Sequence, residues 1–331
     1  MGSGEVGEAR NEKMMELRDM TFGIVGLGIM GGSIAQAIRA NVLDEPRATG
    51  RILACDVNAQ ALAIAKNGGV IDETFASDKA DDMLKRCDLV YVCLYPHATL
   101  DFLSAHKAAF KTNAIVTDIS GVKTVLVEGI EPEVNDALPA KSPKQNEANH
   151  PVKKILRDDV DFILGHPMAG GAKEGYVNAN GAYFANRNYI LLPQRWNKKE
   201  NLELMKSLIS AMGFTRIVET DYHNHDHKIA FTSQLCEVIA SVLVESAEDE
   251  RITEFGGGSF EDLTRIAMIN APLWTELFLS NKKELLGHIN SFEKQLDEIK
   301  KDIEENDAQS LESYLEDVRK KRMIMGTLVS K

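Results

Sequence analysis

The residue most ready for chemistry is His166. It stands in "DFILGHPMAGGAKEG", where a strand-like apolar run ends directly on Gly165-His166-Pro167. An imidazole held between glycine and proline at a strand end is well placed to act as a general base, titrating near the ordinary histidine range. The same position suits a histidine that only hydrogen-bonds within a turn, and spacing alone does not separate the two. A second group lies in "TFGIVGLGIMGGSIAQAIRA", where Gly26, Gly28 and Gly31 fit G-x-G-x-x-G. Bare backbone there permits a tight turn, close approach to a pyrophosphate, and packing of a helix on a strand. With Ile29 and Met30 these glycines open a helix whose free N–H groups and positive dipole end suit phosphates. Asp56 closes the next strand, "RILACD", where an acid can hold the ribose hydroxyls of a dinucleotide. Val57 and Asn58 follow it, and no arginine is there to meet a 2′-phosphate, so NAD is expected rather than NADP.

These residues need a scaffold, and the hydrophobic pattern supplies one. After the glycine segment, "ALAIAKNGG" reads as a helix closed by glycine, and "DLVYVCL" as a strand buried on both faces. "YPHATLDFLSAHKAAF" begins a helix with a proline in its first turn, and "NAIVTDIS" is a further strand. Such alternation predicts an α/β fold with a doubly wound parallel sheet. Ligands of such sheets sit beyond the carboxyl ends of the strands, which nominates Leu94, Tyr95, Pro96, Ser120 and Lys123 as lining residues. Residues 131–159 lose all periodicity and read as a polar insertion. A last strand-like run ends near Pro193, and from about Asn201 helical periodicity takes over. The expected division is a disordered leader or cloning remnant over 1–20, a dinucleotide-binding domain over 21–197, and an all-α dimerisation and substrate domain over 198–331. Helices with apolar stripes and no sheet to cover pack on a copy of themselves, so a homodimer is expected. Ile289, Phe292, Leu296, Ile299 and Ile303 form one such stripe, read as helix packing rather than as a long coiled coil.

Composition narrows the partners. The chain has 331 residues and a formal net charge of −12, which argues against nucleic acid and anionic membranes. No apolar run approaches the length of a membrane span. Cys55, Cys87, Cys93 and Cys236 form no close pair and suit a reducing cytoplasm. In "HNHDH", His223 and His227 would share a helix face as a zinc pair does, but no third ligand follows at a fixed spacing; a polar helix start capped by Asp221 is the simpler reading.

Taken together, "GIVGLGIMGGSIAQAI", "DISGVK", "GHPMAG", the pair His225-Asp226, and "DLTRIA" with Trp274 beyond it make the chain resemble the prephenate/arogenate dehydrogenase family of tyrosine biosynthesis. The similarity spans roughly residues 21–323. It implies NAD(P)-dependent oxidative decarboxylation of a small cyclohexadiene, with aromatisation as the driving force and no metal. By resemblance His166 accepts the ring hydroxyl's proton, Ser120 holds the same hydroxyl and contacts the cofactor, and Arg265 grips a substrate carboxylate. Lys123, Gln234 and Trp274 join the substrate site on the same ground, Trp274 reaching the neighbouring subunit. Ala172 and the segment Ser233 to Glu237 depart from the family pattern in regions that face the substrate side chain, which leaves prephenate against arogenate open; Glu237 either favours an ammonium or is a solvated helix residue. Prephenate with NAD is the reading carried forward. A hydroxyisobutyrate-like or imine-reducing dehydrogenase would share the glycines and a helical dimer domain without needing "GHPMAG" or Arg265, and a non-enzymatic NAD sensor would not need His166.

Overall fold

A computed structural model describes residues 17–130, 155–170 and 173–329. Strands β1 (Thr21–Val25), β2 (Arg51–Asp56), β3 (Glu73–Ala76), β4 (Leu89–Val92), β5 (Ile115–Asp118), β6 (Asp161–Pro167), β7 (Asn188–Leu192) and β8 (Arg216–Glu219) form one sheet in the order β3-β2-β1-β4-β5-β6-β7-β8. The first six run parallel. Helices α1 (Ile29–Asn41), α2 (Ala59–Asn67), α3 (Ala80–Leu84), α4 (Pro96–His106) and α5 (Thr124–Ile130) make the crossovers that parallel pairing requires. Local signals place them: Asn58 caps α2 by accepting from the Gln60 and Ala61 N–H groups, and Pro96 sits in the first turn of α4. Apolar clusters cover both faces, one around Ile24, Ile34 and Ile38 and another around Val25, Val90 and Val116.

Several expectations are corrected here. Strand β7 is antiparallel to β6, because the chain between them runs through short 3-10 turns at Tyr176–Asn178 and Gly181–Phe184 rather than a crossover helix. Helix α6 (Lys199–Ala211) then crosses over to β8, which pairs parallel to β7. The boundary expected at 197/198 therefore falls inside the sheet, and the purely helical part starts at Tyr222. The leader expected to end at residue 20 is anchored earlier, since Leu17 is buried in the core; residues 1–16 lie outside the described residues. Of the expected insertion, residues 131–154 also lie outside them, but Leu156 is already core and Arg157 donates to the Phe110 carbonyl at 2.9 Å.

The helical part comprises α7 (Tyr222–Ile229), a π turn at Ala230–Gln234, α8 (Leu235–Glu245), α9 (Gly258–Thr264), α10 (Ala271–Ser280), α11 (Lys282–Glu304) and α12 (Ala308–Val329). Asp221 caps α7 by accepting from the Asn224 N–H at 2.9 Å, as its position before the histidines suggested. Against the expectation that no apolar run reaches such a length, helices α7 and α8 join through the π turn into one helix, Tyr222–Glu245, that by length and composition alone could cross a membrane. Its core contacts are few. Ala230, Leu235 and Leu285 form a small buried cluster, while Phe231, Val242, Val244 and Leu279 stay exposed.

Candidate active site

The glycine segment is built for a dinucleotide, each glycine for a different reason. Gly26 has φ +87°, and a Cβ there would lie 2.6 Å from the Cys93 carbonyl oxygen at the end of β4. Gly31 presses helix on strand so closely that a Cβ would meet the Gly26 carbonyl oxygen at 2.0 Å. Gly28 faces open space. It caps α1 without a side chain, no acid occupies the first turn, and the N–H groups at Ile29 and Met30 belong to that free helix start. The contacts at Gly26 also bring Leu94 against the loop, with Tyr95 and Pro96 following at the start of α4. Asp56 closes β2, its carboxylate accepting from the Leu27 and Asn58 N–H groups. Val57 beside it is exposed. This arrangement fits a dinucleotide: a bare cradle at a helix start, and an acid at the neighbouring strand end.

The carboxyl ends of β5 and β6 carry the second half of the site. His166 is partly buried at the end of β6, and its Nδ1 lies 2.9 Å from His225 Nε2 on α7. His225 is buried, with Nδ1 2.7 Å from Asp226 Oδ1. Asp226 in turn accepts the Lys123 N–H at 2.9 Å and the Thr124 N–H at 2.7 Å, and so caps the start of α5. The helical part is thus pinned to the sheet directly behind His166. Burial, then the neighbouring His225 and Lys123, hold the His166 imidazole well below the usual histidine range. That corrects the expectation of an ordinary histidine value. Burial lowers His225 as well, against the pull of Asp226.

Ser120 follows β5, and its Oγ is buried with no hydrogen-bond partner among the described residues. A buried hydroxyl left unpaired is costly, which marks it as waiting for a ligand. Gly121 next to it lies against the histidine: a Cβ there would be 3.9 Å from His166 Cε1.

Two residues nominated for substrate contact are placed otherwise. The Lys123 ammonium is fully buried and donates to Asp118 Oδ2 and the Gly165 carbonyl, both at 2.6 Å. Asp118 also accepts the Ser120 N–H at 2.8 Å and the Gly165 N–H at 3.2 Å. This buried ion pair ties the loop carrying Ser120 to the strand carrying His166, behind the site rather than facing it. Gln234, in the π turn, is buried too; it donates to the Leu277 carbonyl at 3.0 Å and accepts from Asn281 at 2.9 Å. It joins helices instead of meeting substrate.

Arg265 sits in a short 3-10 turn, Arg265–Ala267, exposed on the single chain. Its charge is felt by Glu237 on α8, where burial raises the carboxyl pKa and Arg265 opposes the rise. Glu237 Oε2 is buried without a partner among the described residues, so Glu237 is not simply a solvated helix residue. Trp274 lies on α10, its ring 5.6 Å from that of Phe278. The start of α10 reaches the cofactor rim: Asn270 donates to the Tyr95 hydroxyl at 3.1 Å, and Glu276 accepts the His97 N–H at 2.8 Å. His227 meets Glu284 at 2.6 Å. Ala172 lies outside the described residues.

The residue that sequence reasoning missed is His225, named there only as part of a family motif. Helical phase was the available signal, because Asp221 starts the helix and His225 and Ile229 fall on its buried face.

Comparison with known proteins bears on both halves. A family model described as "Prephenate dehydrogenase, nucleotide-binding domain" matches residues 34–141 and 141–218, and one described as "Prephenate dehydrogenase, dimerization domain" matches residues 221–317. The chain is 27% identical to a prephenate dehydrogenase of Bacillus subtilis over 91% of its own length and 74% of the relative's. It is 29% identical to that of Lactococcus lactis, covering 91% and 76%. The crystal structure of prephenate dehydrogenase from A. aeolicus in complex with hydroxyphenyl propionate and NAD+ superposes with a TM-score of 0.76 at 26% identity, covering 92% of this chain and 98% of that one. The chain belongs to the prephenate dehydrogenase family.

Proposed function

We propose, on that membership, that the chain oxidatively decarboxylates prephenate with NAD to 4-hydroxyphenylpyruvate, a step of tyrosine biosynthesis. The observation that carries the reading is the corner formed by His166 and Ser120 at the ends of β6 and β5: an imidazole held neutral by burial, and a buried hydroxyl without a partner among the described residues. A bound nicotinamide supplies the hydride acceptor. The chain's residues do the rest. His166 takes the proton of the ring hydroxyl, which makes hydride loss from that carbon easier. Ser120 holds the same oxygen. Arg265 grips a carboxylate with its planar fork, and Trp274 closes the site, in the assembly from a neighbouring subunit. Loss of carbon dioxide is then driven by aromatisation. The dimerisation model over residues 221–317 and the exposed apolar side chains of the helical part support a homodimer. Its place is the cytoplasm, where free thiols such as those of Cys55 and Cys87 persist.

A second reading, arogenate as substrate, is favoured by Glu237, whose half-buried carboxylate has one oxygen unpartnered among the described residues and suited to an ammonium. One assay separates them: NADH formation with prephenate and with arogenate, each with NAD and NADP. The expected result is turnover with prephenate and NAD. Preference for arogenate moves the assignment to the second reading, equal use of NADP removes the role given to Asp56, and no turnover with either substrate overturns the function.

A further inference from the structure

We propose that His225 and Asp226 are a positioning pair that selects which nitrogen of His166 is the base and shares its charge while it holds the substrate's proton. The reaction is that of the preceding section, and the proposal rests on it; the geometry stands by itself. The argument starts at Asp226. Its carboxylate accepts backbone N–H groups from Lys123 at 2.9 Å and Thr124 at 2.7 Å. Burial pushes its pKa up, but the bonds from His225 and Thr124 outweigh that, and the net direction is down. An ionised carboxylate can only accept. The proton between it and His225 therefore sits on Nδ1, 2.7 Å away. A neutral His225 then has a bare Nε2, and burial favours the neutral form. That bare nitrogen faces His166 Nδ1 at 2.9 Å, so His166 donates there. With Nδ1 protonated, the lone pair of His166 is on Nε2, which no described residue hydrogen-bonds. The hydrogen bond on one ring nitrogen decides the role of the other.

The proton count of the reaction suits a device this closed. As hydride leaves carbon for the nicotinamide, the O–H bond breaks, its proton bonds to His166 Nε2, and a C=O bond forms. The bond from the ring to the carboxylate then breaks, carbon dioxide departs, and its electron pair enters the ring. The carbonyl oxygen becomes a phenol by taking the proton back from Nε2. One proton leaves oxygen and one returns, so no exchange with bulk water is required. In between, the Nδ1 proton shifts toward His225 Nε2, which sets the positive charge beside the Asp226 carboxylate. Asp226 is itself sealed by burial and two backbone donors, so the pair stores charge and conducts no proton outward.

The test uses the full chain in two arms. First, nitrogen-15 spectra of histidine-labelled protein, with His166→Asn to assign the ring, read the tautomer directly. We expect a protonated Nδ1 and a bare Nε2 on His166; the reverse tautomer overturns the proposal. Second, His225→Gln keeps an acceptor for the His166 Nδ1 proton and His225→Leu does not. His225→Leu should lower kcat about a hundredfold with KM and NAD affinity within about threefold, and His225→Gln should recover at least about tenfold of that loss. Melting curves check that both variants fold. A folded His225→Leu with near-normal kcat, or a folded His225→Gln as slow as it, overturns the proposal. If either variant does not fold, the spectra of the wild type decide alone. Wild-type protein inactive on prephenate and arogenate sinks the functional reading, whereas the spectra still judge the tautomer.

Discussion

The sheet part and the helical part bury their apolar residues in very different ways. In the sheet part β4 and β5 are buried along their whole length, between one cluster around Ile24 and Ile38 and another around Val90 and Val116. In the helical part the buried cluster is Ala230, Leu235 and Leu285, and Phe231, Val242, Leu279 and Leu296 face outward. The cofactor cradle lies wholly in the self-sufficient part. The candidate catalytic corner does not: His166 comes from the sheet, and the pair behind it comes from α7. The contrast teaches that one half is finished by its own packing while the other leaves apolar side chains uncovered, and that the candidate catalytic corner lies on the seam between them.

The largest expected effect tests the seam from the sheet side. Lys123→Met strands Asp118 as an unpaired buried charge and should cost about 3–5 kcal/mol in calorimetric or denaturant unfolding. Should stability hold while the prephenate KM rises steeply, Lys123 contacts substrate after all. The glycines sharpen the picture of a self-sufficient half. Gly31→Ala drives a Cβ to 2.0 Å from the Gly26 carbonyl oxygen and should cost about 1–3 kcal/mol. Gly28→Ala meets open space, so its stability should stay within about 0.5 kcal/mol while the KM for NAD rises roughly tenfold. Equal stability losses would remove the distinction between packing and cofactor approach.

Breaking the helical half calls for the opposite kind of change. Val242 is 61% exposed, so Val242→Asp should leave the protomer within about 0.5 kcal/mol of wild type. Light scattering should nonetheless show the dimer weakened by at least tenfold, since an unpaired charge is then buried on association. A variant still dimeric at low micromolar concentration would exclude this face from the interface. The smallest effect is on stability against pH. His166 and His225 have lowered pKa values in the folded chain, so their contribution is full above the pKa of an unfolded histidine. It is lost as pH falls from there through the folded values, because the unfolded chain binds protons the folded one refuses. A denaturation midpoint that does not fall with pH in that window contradicts the burial argument.

What could be read from the sequence follows the same division. The glycine segment, Asp56 and the strand carrying His166 were legible because each signal is local: a turn, a strand end, a fixed spacing. Strand β8 was not, being short and partly exposed, and read as a piece of a helical region. The direction of β7 depends on what the connection before it becomes. Residue type does not say which way a side chain faces: Lys123 and Gln234 suit a substrate by type, yet Lys123 turns inward to Asp118 and Gln234 to Asn281. His225 meets its partner 59 residues away in sequence, a distance no motif spans.

The central claim is that His166 is the base of this reaction, and the most direct measurement is NADH formation from prephenate by wild type and His166→Asn across pH. Wild-type kcat/KM should be level through the ordinary histidine range and fall only at more acidic pH, as the lowered pKa of His166 requires. His166→Asn should lose about a hundredfold or more in kcat, keep its affinity for NAD, and lose that acidic limb. A variant that retains full turnover and the same limb would show that another group takes the proton.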